Sequence, residues 1–361
     1  MNGLRAGKKN ILIIILLILT ISLQALIIRK GDFSKGPLYG KNMYIPFFIY
    51  YNMPGISAKG GDKFQFEYHF SLYYLNDFKL KYLYVDEDEN YTAEVLRDYE
   101  SIVFELGASF YIVKNLQVGV DARIMGYYGG FLDTIIEGYH TAFGFPNAGR
   151  EHIARNQIYI DIPNDNNVNL HLDRPAASIG DIDLWVKYTF FQIKWVSLAA
   201  FGALKVPTGR SCGISISGSG YPDFAVGVLA DLRPFWLFTF YIQTCLVMPL
   251  DFLLYNIDSN PYPMFNGIFS VELNPFKFFS FIVQFNIKNS PLSGDIDYFL
   301  SGIGYVKYLQ LPQVNLLIGL VFKYKNFRWQ FYFEEDAFTN AGTDITFNIS
   351  FSHTFKIKAR F

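Results

Sequence analysis

Charge is scarce in this chain. Asp, Glu, Lys and Arg make up 17% of its 361 residues, where a soluble globular domain carries about 25%. So few charges exclude an intrinsically disordered chain. The near balance of 31 basic against 32 acidic residues removes the footprint expected of a nucleic-acid binder. Cysteine is almost absent. Cys212 and Cys245 have no Cys-x-x-Cys spacing, so neither a zinc cluster nor a disulfide scaffold is indicated. A single bridge between them stays an open alternative in an oxidising setting. Beyond residue 30 there is also no apolar run of membrane-helix length, which excludes a helical bundle. What the chain does have is 51% apolar and 19% aromatic residues and a mean hydropathy of +0.17. A greasy chain without spanning helices points to membrane strands.

The first residues are set apart. Arg5, Lys8 and Lys9 precede an unbroken apolar run at 11–19, followed by a stretch ending in the small Ala25. This is the layout of a secretory signal peptide, with cleavage expected after Ala25 and residues 26–361 forming one barrel domain. An uncleaved anchor running to Ile28 is the rival reading.

Period two recurs through the rest. In 64–74, Phe64, Phe66, Tyr68, Phe70, Leu72 and Tyr74 share one face, while Gln65, Glu67, His69, Ser71 and Tyr73 share the other. The same alternation marks 102–112, 116–124, 182–190, 196–206, 224–232, 236–248, 265–273, 279–287, 314–324, 327–333 and 345–361. Across these twelve segments the apolar face holds no Asp, Glu, Lys or Arg. A charge there would cost about 2–4 kcal/mol at mid-bilayer, which explains the exclusion. Short turns at 113–115, 191–194, 234–235, 274–276 and 325–326 alternate with long polar loops at 75–101, 125–181, 207–223, 249–264, 288–313 and 334–344. The reading is an all-β, antiparallel, up-and-down transmembrane β-barrel of twelve strands, with short periplasmic turns and long extracellular loops. Residues 43–52 and 298–309 are weaker strand candidates that would raise the count to fourteen. The closing strand ends in Phe361, which has the form of the signal read by the barrel-assembly machinery.

Several stretches, in order, carry a family resemblance: KGPLYGKNMYIPF, GGFLDTIIEGYHTAFGFPNAGR, GDIDLWVKY, LKVPTGR, GSGYPDFAVG and FEEDAFTNAGTDITF. Together they resemble an uncharacterised family of bacterial outer-membrane β-barrel proteins, a domain of unknown function. The resemblance implies the fold and the outer membrane of a double-membraned bacterium. It implies no activity.

Two sets of residues are candidates for function. The wet strand faces contribute Glu67, Glu105, Asp121, Arg123, Asp183, Lys187, Lys205, Asp231, Glu272, Lys323 and Arg328 as lumen-lining charges, which either line a polar conduit or pair and fill the interior. Within the longest loop, Leu132, Ile135, Ile136, Tyr139 and Phe143 fall at helical spacing. That helix is expected to fold inward as a constriction, with lying on the outer leaflet as the alternative. On it Asp133, Glu137 and His140 share a face; they suit a divalent metal or a proton-transfer pair, or simply a solvated polar face, which is the preferred reading.

Nothing names an enzyme. There is no Gly-x-Ser-x-Gly elbow or His-Glu-x-x-His motif, and neighbours such as Ser352 and His353 point to opposite faces of a strand. No catalytic, cofactor-binding or metal residue is assigned. The expected function is a narrow, loop-restricted channel or transporter for a small solute. The alternatives are a structural or surface-interaction barrel with a filled lumen and, third, an outer-membrane hydrolase. The expected partners are outer-membrane lipid, the secretion translocon and the assembly machinery, with no nucleic acid.

Overall fold

The computed structural model describes residues 32–44, 49–85, 91–144, 147, 149–162, 170–211, 217–250, 253–254, 257–258, 262–289, 312–336 and 343–357. The expected signal peptide, Cys212, residues 298–309 and Phe361 lie outside them.

The strands, in chain order, are β1 (Gln65–Val85), β2 (Tyr91–Val113), β3 (Leu116–Tyr128), β4 (Tyr159–Ile162), β5 (Leu170–Leu172), β6 (Ala176–Ile179), β7 (Ile182–Gln192), β8 (Val196–Val206), β9 (Asp223–Phe235), β10 (Phe238–Pro249), β11 (Leu253–Leu254), β12 (Ile257–Asp258), β13 (Met264–Leu273), β14 (Phe279–Lys288), β15 (Gln313–Tyr324), β16 (Phe327–Glu335) and β17 (Ile345–Lys356). A helix, α1 (Asp133–Phe143), and a 3-10 turn at Arg150–His152 lie between β3 and β4. Every wall pairing is antiparallel. The sheet closes on itself because β1 pairs with β17 from Gln65↔Lys356 to Asn76↔Ile345. Twelve strands form the wall, with β6 and β7 together making one crossing beside β3, while β4 and β5 extend the sheet from the end of β2.

Each of the twelve alternating segments of the sequence falls on a wall strand over most of its described length. The faces sort as the alternation requires. In β9, Phe224, Val226 and Val228 are exposed on the outer surface, whereas Ala225, Leu229 and Asp231 are buried inside. An apolar belt of this kind is tolerable only against lipid. The hairpins close in two-residue turns at 114–115, 236–237 and 325–326, with Asn115 at φ 68° and Lys325 at φ 54°. The 236–237 turn comes later than the expected 234–235, because Pro234 and Phe235 still belong to β9.

One expectation about the wall needs correction. Residues 75–101 are no loop: β1 and β2 stay paired out to Val85↔Tyr91, carrying the hairpin well beyond the belt, as the strand-forming run KLKYLYV favours. The count is twelve, as expected. The described part of 43–52 crosses no membrane, since Met43, Tyr44, Ile49, Tyr50, Tyr51 and Asn52 are buried within the barrel.

Candidate functional site: the lumen and the chain inside it

An eight-stranded barrel fills its interior with its own side chains, and a sixteen-stranded one leaves an aqueous channel. Twelve strands leave room for something between, and here it is the chain's own leading segment. Residues 33–44 rise through the lumen from the short-turn end, where the Phe33 and Trp236 rings meet at 5.7 Å. Residues 49–62 return to the same end and run into β1. The two legs touch: a Cβ on Gly55 would lie 2.1 Å from the Leu38 carbonyl oxygen, so only glycine permits their approach.

An extended segment away from water must find partners for its backbone groups, and the wet faces of the wall supply them. On the rising leg, Gln284 of β14 accepts from Leu38 N at 3.0 Å and donates to Leu38 O at 3.2 Å. Gln330 of β16 accepts from Tyr39 N at 2.9 Å and donates to Pro37 O at 3.1 Å. Glu272 accepts from Lys35 N at 2.9 Å. On the returning leg, Gln243 of β10 brackets Ile56 in the same way. Asp223 accepts from Tyr51 N at 2.6 Å, Asp231 from Ala58 N at 2.9 Å and Gln192 from Gly60 N at 2.8 Å. Glutamine can bracket a peptide because its amide carries both a donor and an acceptor.

At mid-lumen the attachment becomes ionic. Lys41 Nζ lies 3.0 Å from Glu105, 3.1 Å from Asp121 and 3.1 Å from Asp183, all fully buried. Burial opposes its charge, but Asp121, Glu105 and Asp183 together outweigh it and hold Lys41 above the ordinary lysine range. Tyr39 donates its hydroxyl to Asp121 at 2.8 Å, and its ring packs on His69 at 4.4 Å. Gly107 leaves the space, since a Cβ there would sit 1.9 Å from the His69 ring. His69, Glu105 and Asp121 bring ligand atoms within 4.8 Å of one another, a donor set fit for a cation; Lys41 meets that demand. A second buried lysine, Lys205, pairs with Asp181 at 3.0 Å and Asp223 at 3.3 Å and donates to Ile49 O at 2.6 Å.

The eleven lumen-lining candidates meet the segment or the cavity beneath it. Glu105, Asp121, Asp183, Lys205, Asp231 and Glu272 hold the re-entrant segment, and Arg123 lies among Asp183, Asp181 and Glu105. Glu67, Lys187, Lys323 and Arg328 line a cavity at the short-turn mouth. Sequence reasoning missed the segment itself. No local signal marked it: the carboxylate surplus at mid-wall that Lys41 meets shows only once the strands are placed beside one another.

The helix is placed otherwise than expected. α1 docks on the outward face of the wall beyond the belt, not in the lumen. Glu100 and Asn76, both at outward positions, receive it: Glu100 accepts from Phe131 N at 2.7 Å and from Leu132 N, and Asn76 donates to Asp133 at 3.2 Å. Asp133 also pairs with Arg150, and Glu137 with Arg155, so the acidic face is buried and paired rather than solvated. His140 lies half-buried beside it. Leu132 and Ile136 are buried, whereas Ile135 and Tyr139 are exposed together with Phe131 and Phe143. Phe131 packs on the outward Tyr74 ring at 5.6 Å, continuing the apolar belt. The packing reason is that the helix has two apolar edges and a charged face, and the charged face finds its arginines outside the wall. A variant lacking 131–145 is accordingly expected to show the same conductance as the intact chain in a planar bilayer; an enlarged conductance would place the helix in the conduction path.

Residues 75–230 match the model of a family described as protein of unknown function (DUF3187). The COG4313 outer membrane channel from Pseudomonas putida F1 superposes with a TM-score of 0.51 at 9% identity, over 80% of this chain and 95% of that one. The KdgM porin gives 0.38 at 4% identity, over 81% and 99%. The Ralstonia pickettii toluene transporter TbuX gives 0.39 at 10% identity, over 82% and 90%. The last two are too loose to argue from, and the first shows a shared fold alone. No curated protein matches the sequence. The resemblance to an uncharacterised family of outer-membrane β-barrels thus rests on a family match and on a barrel of that type.

Proposed function

We propose that the protein is an outer-membrane channel for a small solute, closed at rest by its own segment 33–60, which enters from the periplasmic side. One observation carries this reading. Polar side chains from strands around the barrel, among them Asp223, Asp231, Gln243, Glu272, Gln284 and Gln330, bond to the backbone of a separate stretch of chain as well as to one another. Side chains committed to a permanent filling would pair across the lumen. Here Gln243, Gln284 and Gln330 hold peptide groups that water could replace at little cost. Withdrawal of the segment would leave a conduit lined by amides and carboxylates among apolar residues such as Leu229, Ile282 and Val321.

The second reading, a structural barrel with a permanently filled lumen, is favoured by the Lys41 cluster, because a buried, triply paired ammonium resists displacement. Solute flux separates the two. Liposomes containing the folded protein, confirmed by a heat-dependent gel shift, should swell in small sugars and amino acids. A folded barrel that admits no solute, with or without residues 33–60, would leave the structural reading standing and end the channel reading. Export by an N-terminal signal and insertion guided by the closing strand belong to the same proposal.

A further inference from the structure

At the short-turn mouth, below the Lys41 cluster, the wall and the two legs enclose a cavity of about 470 Å³. Its lining includes Lys35, Lys59, Lys187, Lys323, Arg328 and Lys356, and among the described residues it holds one carboxylate, Glu67. Some of this charge is neutralised nearby. Lys59 pairs with Asp32 at 2.5 Å and Lys356 with Asp62 at 3.2 Å.

The rest is met mainly by neutral oxygens. Lys187 Nζ donates to the carbonyls of Ser57 at 2.9 Å and Lys59 at 3.0 Å. Arg328 donates to the carbonyls of Gly36 at 3.0 Å and Pro37 at 2.5 Å. Lys35 Nζ donates to Phe33 O at 2.9 Å, Phe276 O at 3.1 Å and Asn274 at 3.2 Å. Carboxylates close by are already engaged: Glu272 accepts from Lys35 N and Tyr241, and Asp231 from Ser57 and Ala58.

Most telling is the β15–β16 hairpin. Lys323 and Arg328 are direct partners in the ladder and both line the cavity. Like charges placed opposite each other destabilise a sheet, and two cations converging on a small polar cavity are what an anion would bridge.

We propose that this mouth binds a small multivalent oxyanion, phosphate or carboxylate in kind, and that the bound anion draws Arg328 and Lys187 away from the carbonyls of the plug and loosens it. Ionic partners outcompete neutral carbonyls for a guanidinium or ammonium, and Gly36, Pro37, Ser57 and Lys59 give up those contacts together. The loosening rests on the plugged-channel reading; the binding does not.

Isothermal titration calorimetry on the full detergent-solubilised chain tests the binding, with pyrophosphate and citrate as probes at constant ionic strength and sodium chloride as the blank. Saturable heat is expected with at least one probe, and the comparison of the two says whether phosphate or carboxylate is preferred. The double variant Lys323→Gln/Arg328→Gln should bind about tenfold more weakly or worse. Its fold should persist, because both side chains face the cavity near a hairpin end; the gel shift checks this. No saturable heat beyond the blank, or unchanged affinity in the folded double variant, would overturn the site. Bilayer recording with the better probe on the short-turn side tests the second step. More frequent opening supports it, and tight binding without any change in opening overturns the loosening alone. If the variant lacking 33–60 is silent as well, the channel reading fails, while the calorimetric result on the anion is unaffected.

Discussion

Removing residues 33–60 is expected to turn intermittent conduction into a steady, several-fold larger current through an otherwise intact barrel. The wall should survive because its hydrogen-bond ladders, including the closing β1–β17 seam, lie entirely among strands outside the deleted segment. The lumen should admit water because, beside apolar wall residues such as Leu229, Ile282 and Val321, it would uncover many polar groups: Gln243, Gln284, Gln330, Asp223, Asp231 and Glu272 would each exchange a peptide partner for solvent. That exchange costs little per hydrogen bond when water can enter, and a barrel open at both ends lets it enter. Single-channel recording in a planar bilayer reads the effect. A folded deletion variant with no current would end the channel reading.

Replacing Lys41 with methionine is expected to produce much of the same effect without removing any chain. The substitution keeps the unbranched stem, one atom shorter, and deletes its charge, leaving Glu105, Asp121 and Asp183 crowded together without their cation. Breaking a buried ion pair from one side costs about 3–5 kcal/mol. If that loss falls on the closed state, the balance between seated and released segment shifts by roughly a hundredfold or more. Open probability should rise accordingly, and the unfolding midpoint in denaturant should change less than the open probability, since the wall is untouched. Adding Asp183→Asn to the Lys41→Met variant should restore part of the closure by lowering the carboxylate repulsion. A variant that opens no more often than the parent would show that Lys41 does not hold the segment.

The wall was legible in the sequence because one physical rule governs it throughout. Lipid on one side and a wet interior on the other force a period of two, and no Asp, Glu, Lys or Arg falls on the apolar face of the twelve alternating segments. The interior was not legible for the opposite reason. Residues 33–60 obey no period, since their backbone is satisfied by side chains drawn from distant strands, as Leu38 is by Gln284 and Ala58 by Asp231. Pairings of that range leave no local trace. The charges of the wet faces were visible as a set, but their grouping was not. Glu105, Asp121 and Asp183 cluster at mid-lumen, and Lys323 and Arg328 gather at the mouth, so a balanced total conceals two unbalanced regions. The helix shows a third limit. Its stripe of Leu132, Ile135, Ile136, Tyr139 and Phe143 is real, but periodicity gives a face without saying which surface it meets, and Glu100 and Asn76 drew it to the outside.

The central claim is that residues 33–60 sit inside the barrel at rest, and thiol labelling tests it most directly. In a background with Cys212 and Cys245 replaced by serine, Leu38→Cys puts a thiol at a position with 0% exposure, between the wall and the returning leg. A water-soluble maleimide should modify it at a small fraction of the rate seen in denaturant, and the rate should rise when Lys41→Met is added. Modification of the folded protein at the rate of the denatured chain, with or without Lys41, would contradict the account.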